Sequence, residues 1–304
     1  MHAIAAEHVR FRGESAIRLR SGELAATFLP QLGLTGVSLR FREGEYLALP
    51  GGLDHLRGGH TGGLPLLAPW ANRLSSRRFQ LDGVDVNLPD STMLTDSNGL
   101  PIHGLLVGRS RWSVDEVSTS AGAARLRASI EIGARDFAFP HRIQVTFTAR
   151  EPELTVTTAV TPSGRNRVPI AFGWHPYLKV PGTPRGQWHL RLPARTHAAL
   201  DERGLPTGVE TDERAEAGVI GRRRFDDLFK LGRSGRLAFE ADQGRGIELR
   251  CDASYPYAQV WVPPGQQFGA LEPMTAPTNA LVTGVAQWAE PGDTFIATFS
   301  LALT

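Results

Sequence analysis

Cysteine is nearly absent: Cys251 stands alone among 304 residues, which excludes an intramolecular disulfide and leaves the redox compartment open. It lies in the alternating run "IELRCDASY", with no histidine near it in sequence, a setting that suits a small buried hydrophobe better than a nucleophile. Long apolar runs are missing too. No window of about 18 apolar residues occurs, so no membrane span is expected. The opening "MHAIAAEHVRFRG" has no continuous apolar segment and no cleavage pattern, so no secretory leader is expected and the expected address is the cytoplasm. Neither charge sign dominates: 33 Lys and Arg against 31 Asp and Glu leave a net +2. The basic runs near residues 75 and 221, "SSRR" and "GRRRFDD", are short and carry no interleaved aromatics, so no nucleic-acid partner is expected.

The usual chemical signatures are absent as well. There is no H-E-x-x-H, C-x-x-C, glycine-rich phosphate loop or G-x-S-x-G elbow. The nine histidines show no metal-ligand spacing; His55 and His60 read as a loop pair that could hold a metal but is more commonly solvated. No metal or cofactor is therefore expected. Sustained helical periodicity is missing, and 210–224, "ETDERAEAGVIGRRR", reads as a surface loop because Gly218 and Gly221 limit any helix.

What is abundant is turn chemistry and alternation. Thirty-three glycines and 21 prolines punctuate short runs of period two. "HRIQVTFTAR" puts Ile143, Val145 and Phe147 on one face, and "ELTVTTAV", "QWHLRLPA", "GRLAFEAD", "GIELRCD", "AQVWVPP" and "TFIATFSLALT" behave alike. "RRFQLDGVDVNLP" reads as a hairpin turning at Asp82-Gly83. No linker divides the chain and no fixed-period repeat appears, so the reading is all-β: one large antiparallel β-sandwich domain over 1–304.

Four stretches concentrate unusual residues. "GGLPLLAPWANRL" ends in Trp70, Asn72 and Arg73; "GLPIHGLL" centres on His103 and Gly104; "AFGWHPYLKV" sets His175 between Trp174 and Pro176; "ALEPMTAPTNAL" places Glu272 in an apolar context before a proline. Each has a plain structural alternative. Arg73 could pair with any carboxylate, His103 could cap a turn, and Trp70 or Trp174 could be core as readily as a stacking wall. An apolar setting tends to raise the pKa of Glu272, and shifted carboxylates gather at functional sites. One imidazole, one carboxylate, one guanidinium and flat aromatic faces suit acid–base chemistry on a sugar-like polyol.

At these residues the chain resembles the aldose 1-epimerase (galactose mutarotase) family. "PLLAPWANRL", "LDGVDVNLP" followed by "IHGL", "FGWHPYL" and "EPMTAPTNAL" match the family's blocks in order. The resemblance implies a large β-sandwich (a galactose mutarotase-like supersandwich), a cleft on one sheet face, a small-molecule sugar substrate and no cofactor. It implies Glu272 as general base and His175 as general acid. Arg73 and His103 would hold hydroxyls, with Asn72 and Trp174 beside them. The family's Asp-x-x-Phe pattern falls on "FDDLF", giving Asp226, with Asp227 the other candidate. Two departures stand out: Leu105 follows His-Gly where many members carry a second glycine, and "HGLLVGR" lacks the Phe-Ala-Arg of the branch that acts on hexose 6-phosphates. The expectation is a mutarotase that interconverts the α and β anomers of a free aldohexose. The alternatives are a hexose-6-phosphate mutarotase and a non-catalytic sugar-binding protein on the same fold. The sequence fixes neither the preferred sugar nor the oligomeric state.

Overall fold

A computed structural model describes residues 4–89, 93–108, 110–232 and 235–304. Residues 1–3 of the opening stretch and Arg109 at the end of "HGLLVGR" lie outside the described residues. Alternation becomes strand pairing wherever one face can be buried. His141–Arg150 shows strict inside–outside alternation, pairing with Ala123–Ile132 on one side and Glu153–Pro162 on the other. These belong to a nine-stranded sheet that runs on through Phe295–Leu303, Gly246–Cys251, Gly235–Glu240 and His189–Leu192. Cys251 ends its strand only partly exposed, and burial pushes its thiol well up, away from nucleophilic reactivity.

An eight-stranded sheet faces it, in the order Pro206–Glu213, Arg195–Leu200, Phe225–Leu231, Tyr257–Val262, Gly269–Met274, Gly173–Trp174 and Leu66–Leu67, with Tyr177–Leu178 also on Gly269–Met274. Its neighbours are antiparallel throughout. A five-stranded sheet built from residues 4–45 flanks the pair. The main core lies between these layers and takes Phe28, Phe147, Trp174, Tyr255, Leu271 and Phe299 among its members. The hairpin Arg78–Leu81/Val84–Asn87 turns at Asp82-Gly83 as the sequence implied, with Asp82 left-handed (φ 53°).

Two expectations need correction. The 210–224 segment is not a loop: Pro206–Glu213 is the edge strand of the eight-stranded sheet and Glu216–Val219 the edge of the nine-stranded one. Their burial is almost uniformly low, so no alternation marks them. His55 lies on the short helix Gly52–Arg57, stacked on His60 at 4.4 Å. Among the described residues no helix is long and apolar enough to cross a membrane.

Candidate active site

The cleft lies on the face of the eight-stranded sheet turned away from the main core. Alternation decides what reaches it. Directly paired residues share a face, so the pairs Gln259–Glu272 and Asp226–Trp261 place all four side chains together. Asp227, the next residue, pairs with core-facing Val260 and meets His197 Nε2 at 3.2 Å instead. This selects Asp226, whose Oδ1 accepts from Gln259 Nε2 at 2.7 Å. Every residue of Gly269–Met274 is buried, Leu271 in the core and Glu272 in the cleft.

His175 arrives on a segment held from both sides. Its backbone N–H donates to Pro65 O (3.1 Å), and that of Tyr177 donates to Gly63 O (2.7 Å). Gly173 permits the close packing: a Cβ there would approach Pro273 O to 2.7 Å. The same alternation turns Trp174 the other way. It is fully buried, donates from Nε1 to Thr158 Oγ1 (3.1 Å) and packs against Phe147 and Phe299. Trp174 is therefore a core residue and not a cleft wall, and Trp70 is likewise buried. The cleft's aromatic faces are Tyr177 and Trp261. Tyr177 stacks on His175 at 4.5 Å, and Trp261 meets the imidazole edge-on at 5.5 Å.

Two crossing loops supply the rest. His103 N–H donates to Asn72 O (3.0 Å) and Leu105 N–H to Ala68 O (2.8 Å). A Cβ on Gly104 would collide with the Ala68 carbonyl, so the glycine after His103 is what lets the loops touch. Asn72 and His103 are both non-glycine residues in the left-handed region (φ 55° and 64°), the kind of strain that gathers at functional sites. Asn279 holds the first loop by accepting from Ser75 N–H at 2.8 Å. Arg73 Nε donates to Asp96 Oδ2 (2.8 Å), and Arg73 Nη1 donates to Asn72 Oδ1 (3.2 Å).

The result is a cleft of about 160 Å³ lined by Asn72, Arg73, His103, His175, Asp226 and Glu272, together with Ile102, Tyr177, Gln259 and Trp261. All the polar candidates named from the sequence for the sugar site meet here except Asp227. Tyr177, Gln259, Trp261 and Asp96 were not singled out as site residues. Period-two counting from Glu272 across "AQVWV" reaches Gln259 and Trp261, but only once the strand register is known; Asp96 sits in a loop with no such signal.

His175 Nε2 lies 3.3 Å from Glu272 Oε1, and both side chains are almost wholly buried. Burial pushes the Glu272 carboxyl well up, reinforced by Asp226 and opposed by Arg73. Burial also pushes the His175 imidazole down to about 3. Burial thus disfavours the charged form of both partners across this 3.3 Å contact. His103 is held well below the ordinary imidazole range by burial, then by His175 and Arg73. Burial raises Asp96 less than the Arg73 guanidinium and the Leu100 and Asn98 amides lower it, so it stays below its usual value.

Ten buried side-chain polar atoms lack a partner among the described residues, and four of them line this one cleft: His103 Nδ1, His175 Nδ1, Gln259 Oε1 and Glu272 Oε2. Such atoms are costly to leave unpaired, and their clustering marks a place built for a polar ligand. Among the described residues no group of three His, Cys, Asp or Glu side chains is placed to hold a metal ion.

Comparison with known proteins identifies the family and the fold. The family model described as aldose 1-epimerase matches residues 39–294. A galactose mutarotase-like protein from Clostridium acetobutylicum superposes with a TM-score of 0.85 at 19% identity, covering 100% of this chain and 98% of its own. Galactose 1-epimerase from Lactobacillus acidophilus NCFM gives 0.78 at 15%, covering 99% of both chains. An aldose epimerase homologue from C. elegans gives 0.76 at 17%, again covering 99% of both. No curated protein matches by sequence.

Proposed function

The chain belongs to the aldose 1-epimerase family, and from that premise we propose that it interconverts the α and β anomers of a free aldohexose by acid–base ring opening. The observation that carries the reading is the buried His175–Glu272 pair, in contact at 3.3 Å beside unpartnered polar atoms. Glu272, as carboxylate, removes the proton from the anomeric hydroxyl while His175, as imidazolium, donates one to the ring oxygen. The aldehyde rotates, and closure reverses both transfers. Burial disfavours each charged form alone, and the 3.3 Å contact lets the two charges offset one another.

Each positioned transfer is worth ~10²–10⁴-fold. Mutarotation proceeds unaided in water, so this is enough without a covalent nucleophile. Arg73, His103 and Asn72 bind and orient hydroxyls. Asp226 accepts from a hydroxyl two strands away, and Trp261 replaces Trp174 as the apolar wall under the ring. Orientation of both partners contributes heavily when two groups act together. The free-sugar branch is favoured over the phosphosugar one because, among the described residues that line the cleft, Arg73 is the single cation, against Asp226 and Glu272, and Asp96 already holds it.

Anomer exchange by NMR in D₂O tests the reading. It is expected to show faster exchange for glucose or galactose than for glucose 6-phosphate, with no deuterium at carbon. Deuterium at carbon would instead mean proton abstraction from the sugar skeleton, and a preference for the phosphate would transfer the chain to the other branch.

A further inference from the structure

The two faces of the five-stranded sheet differ in character. One sends Ile17, Leu19, Phe28 and Leu39 into the main core. On the other, the short helix Gly52–Arg57 covers one end, setting Leu53 and Leu56 against Ala16, Leu29 and Val37. The rest of that face is open. Two cross-strand rows lie side by side on it, Arg18–Thr27–Ser38 and Arg20–Ala25–Arg40. They form a bowl of about 380 Å³ with the small residues Ala25, Thr27 and Ser38 between the arginines. Arg42, Phe11 and Glu23 also line it, so four guanidiniums face one carboxylate.

That carboxylate is taken: Glu23 pairs with Arg42 at 3.4 Å. Arg18, Arg20 and Arg40 make no ion pair or hydrogen bond among the described residues. The carboxylates opposite them in the ladder do not answer them. Glu7 faces Arg18 without reaching it. Glu45, opposite Arg40, accepts instead from Ser38 Oγ (2.5 Å) and from the N–H groups of Leu39 (2.8 Å) and Leu47 (3.0 Å). Arginines on the nine-stranded sheet are treated differently: Arg127 meets Glu116 at 3.0 Å, Arg191 meets Glu240 at 2.8 Å and Arg250 meets Glu153 at 2.9 Å. Strand geometry puts the Cα atoms of Arg20 and Arg40 about 10 Å apart, and those of Arg18 and Arg20 about 7 Å. Three cations this close repel one another, and an anion between them relieves that cost.

We propose that this bowl binds a chain of phosphoryl groups, the chemistry shared by inorganic oligophosphates and nucleoside triphosphates. Guanidinium forks grip phosphate oxygens two at a time, and their planar donors suit it better than a point charge would. A single phosphate occupies one or two of the three unpaired forks; a chain occupies all three. The small floor lets the long side chains close over an occupant. Phe11 is the one aromatic side chain lining the bowl among the described residues, so the phosphate chain and not a stacked base supplies the affinity. No residue of the bowl lines the sugar cleft, and the site stands whatever the cleft turns over.

Calorimetric titration with tripolyphosphate at low salt, about 20 mM, tests this. Wild type is expected to bind it with a Kd below ~100 μM, and to bind sulfate and glucose 6-phosphate, each with one anionic group, at least ~10-fold more weakly. The double variant Arg20→Ala/Arg40→Ala is expected to lose ~10-fold or more in affinity, with a Tm no lower than wild type because a repulsion is removed. Arg191→Ala/Arg250→Ala takes the same net charge from the other sheet and is expected to keep the affinity within about twofold. ATP separates the sources. Binding equal to tripolyphosphate names the bare chain as the ligand, tighter binding names the nucleotide, and both uphold the site. The inference is overturned if tripolyphosphate does not bind or binds no better than sulfate. Affinity that survives Arg20→Ala/Arg40→Ala, or falls equally in both double variants, overturns it as well.

Discussion

At the scale of single residues, the site turns on the buried contact between His175 and Glu272. Burial lowers the His175 imidazole to about 3 and raises the Glu272 carboxyl well above its ordinary value. The pH profile of kcat/KM is therefore expected to stay flat down to pH 5, with its acid limb well below the ordinary imidazole range. A limb centred near 6.5, the unperturbed histidine value, would contradict the pairing. The chemical identities of His175 and Glu272 were legible in the sequence because their flanking strings are distinctive. Trp174 was misplaced although it directly precedes His175, because adjacent residues of a strand face opposite ways and the string alone does not say which faces the cleft. Asp226 and Asp227 stayed open for the same reason until register separated them. Trp261 was invisible because its partner in the site, Asp226, is 35 positions away in sequence, and only the ladder joins them.

Among elements, what could be read depended on burial. His141–Arg150 buries one face and announces itself by alternation. Pro206–Glu213 and Glu216–Val219 are sheet edges with little of either face buried, and their charged residues suit edges that must not recruit further strands. Nothing in composition separates such strands from a loop. The two crossing loops are the element on which the site most depends, and Gly104 is their point of contact. Gly104→Ala adds a Cβ into the Ala68 carbonyl at φ 72°. Strain of that kind costs on the order of 1–3 kcal/mol. The variant is expected to fold with a lowered Tm and to show a raised KM as well as a reduced kcat, since His103 and Arg73 shift together. Unaltered KM in a folded variant would mean that the loop crossing does not position the sugar contacts.

Across the whole molecule, buried histidines link stability to pH. His141 is buried in the nine-stranded sheet, its Nδ1 2.8 Å from Phe139 O, and burial pushes it down to about 4. In the unfolded chain it titrates near 6.5, so the unfolded state binds more protons between those values and stability falls as pH drops through that window. The fall from 6.5 to about 4 corresponds to a loss on the order of 3 kcal/mol, complete below pH 4. His103 and His175 act in the same direction, whereas Glu272, raised in the fold, opposes them above 4.5. His141→Asn keeps a donor toward Phe139 and removes the titration. Its Tm is expected to decline clearly less than that of wild type between pH 6.5 and 4; parallel declines would refute the assignment. The same melts test our reading of 1–304 as one domain, which the continuous core from Ile17 to Leu303 supports and which requires a single transition.

The most direct test is polarimetry of freshly dissolved α-D-glucose and α-D-galactose with wild type and Glu272→Gln side by side. The acid–base account predicts that wild type speeds the decay well beyond buffer on at least one sugar, and that the amide variant, isosteric but unable to take the proton, loses ~10²–10⁴-fold in kcat with its fold intact. A variant as fast as wild type would contradict Glu272 as the base, and a wild type no faster than buffer on either sugar would contradict the free-aldose reading itself.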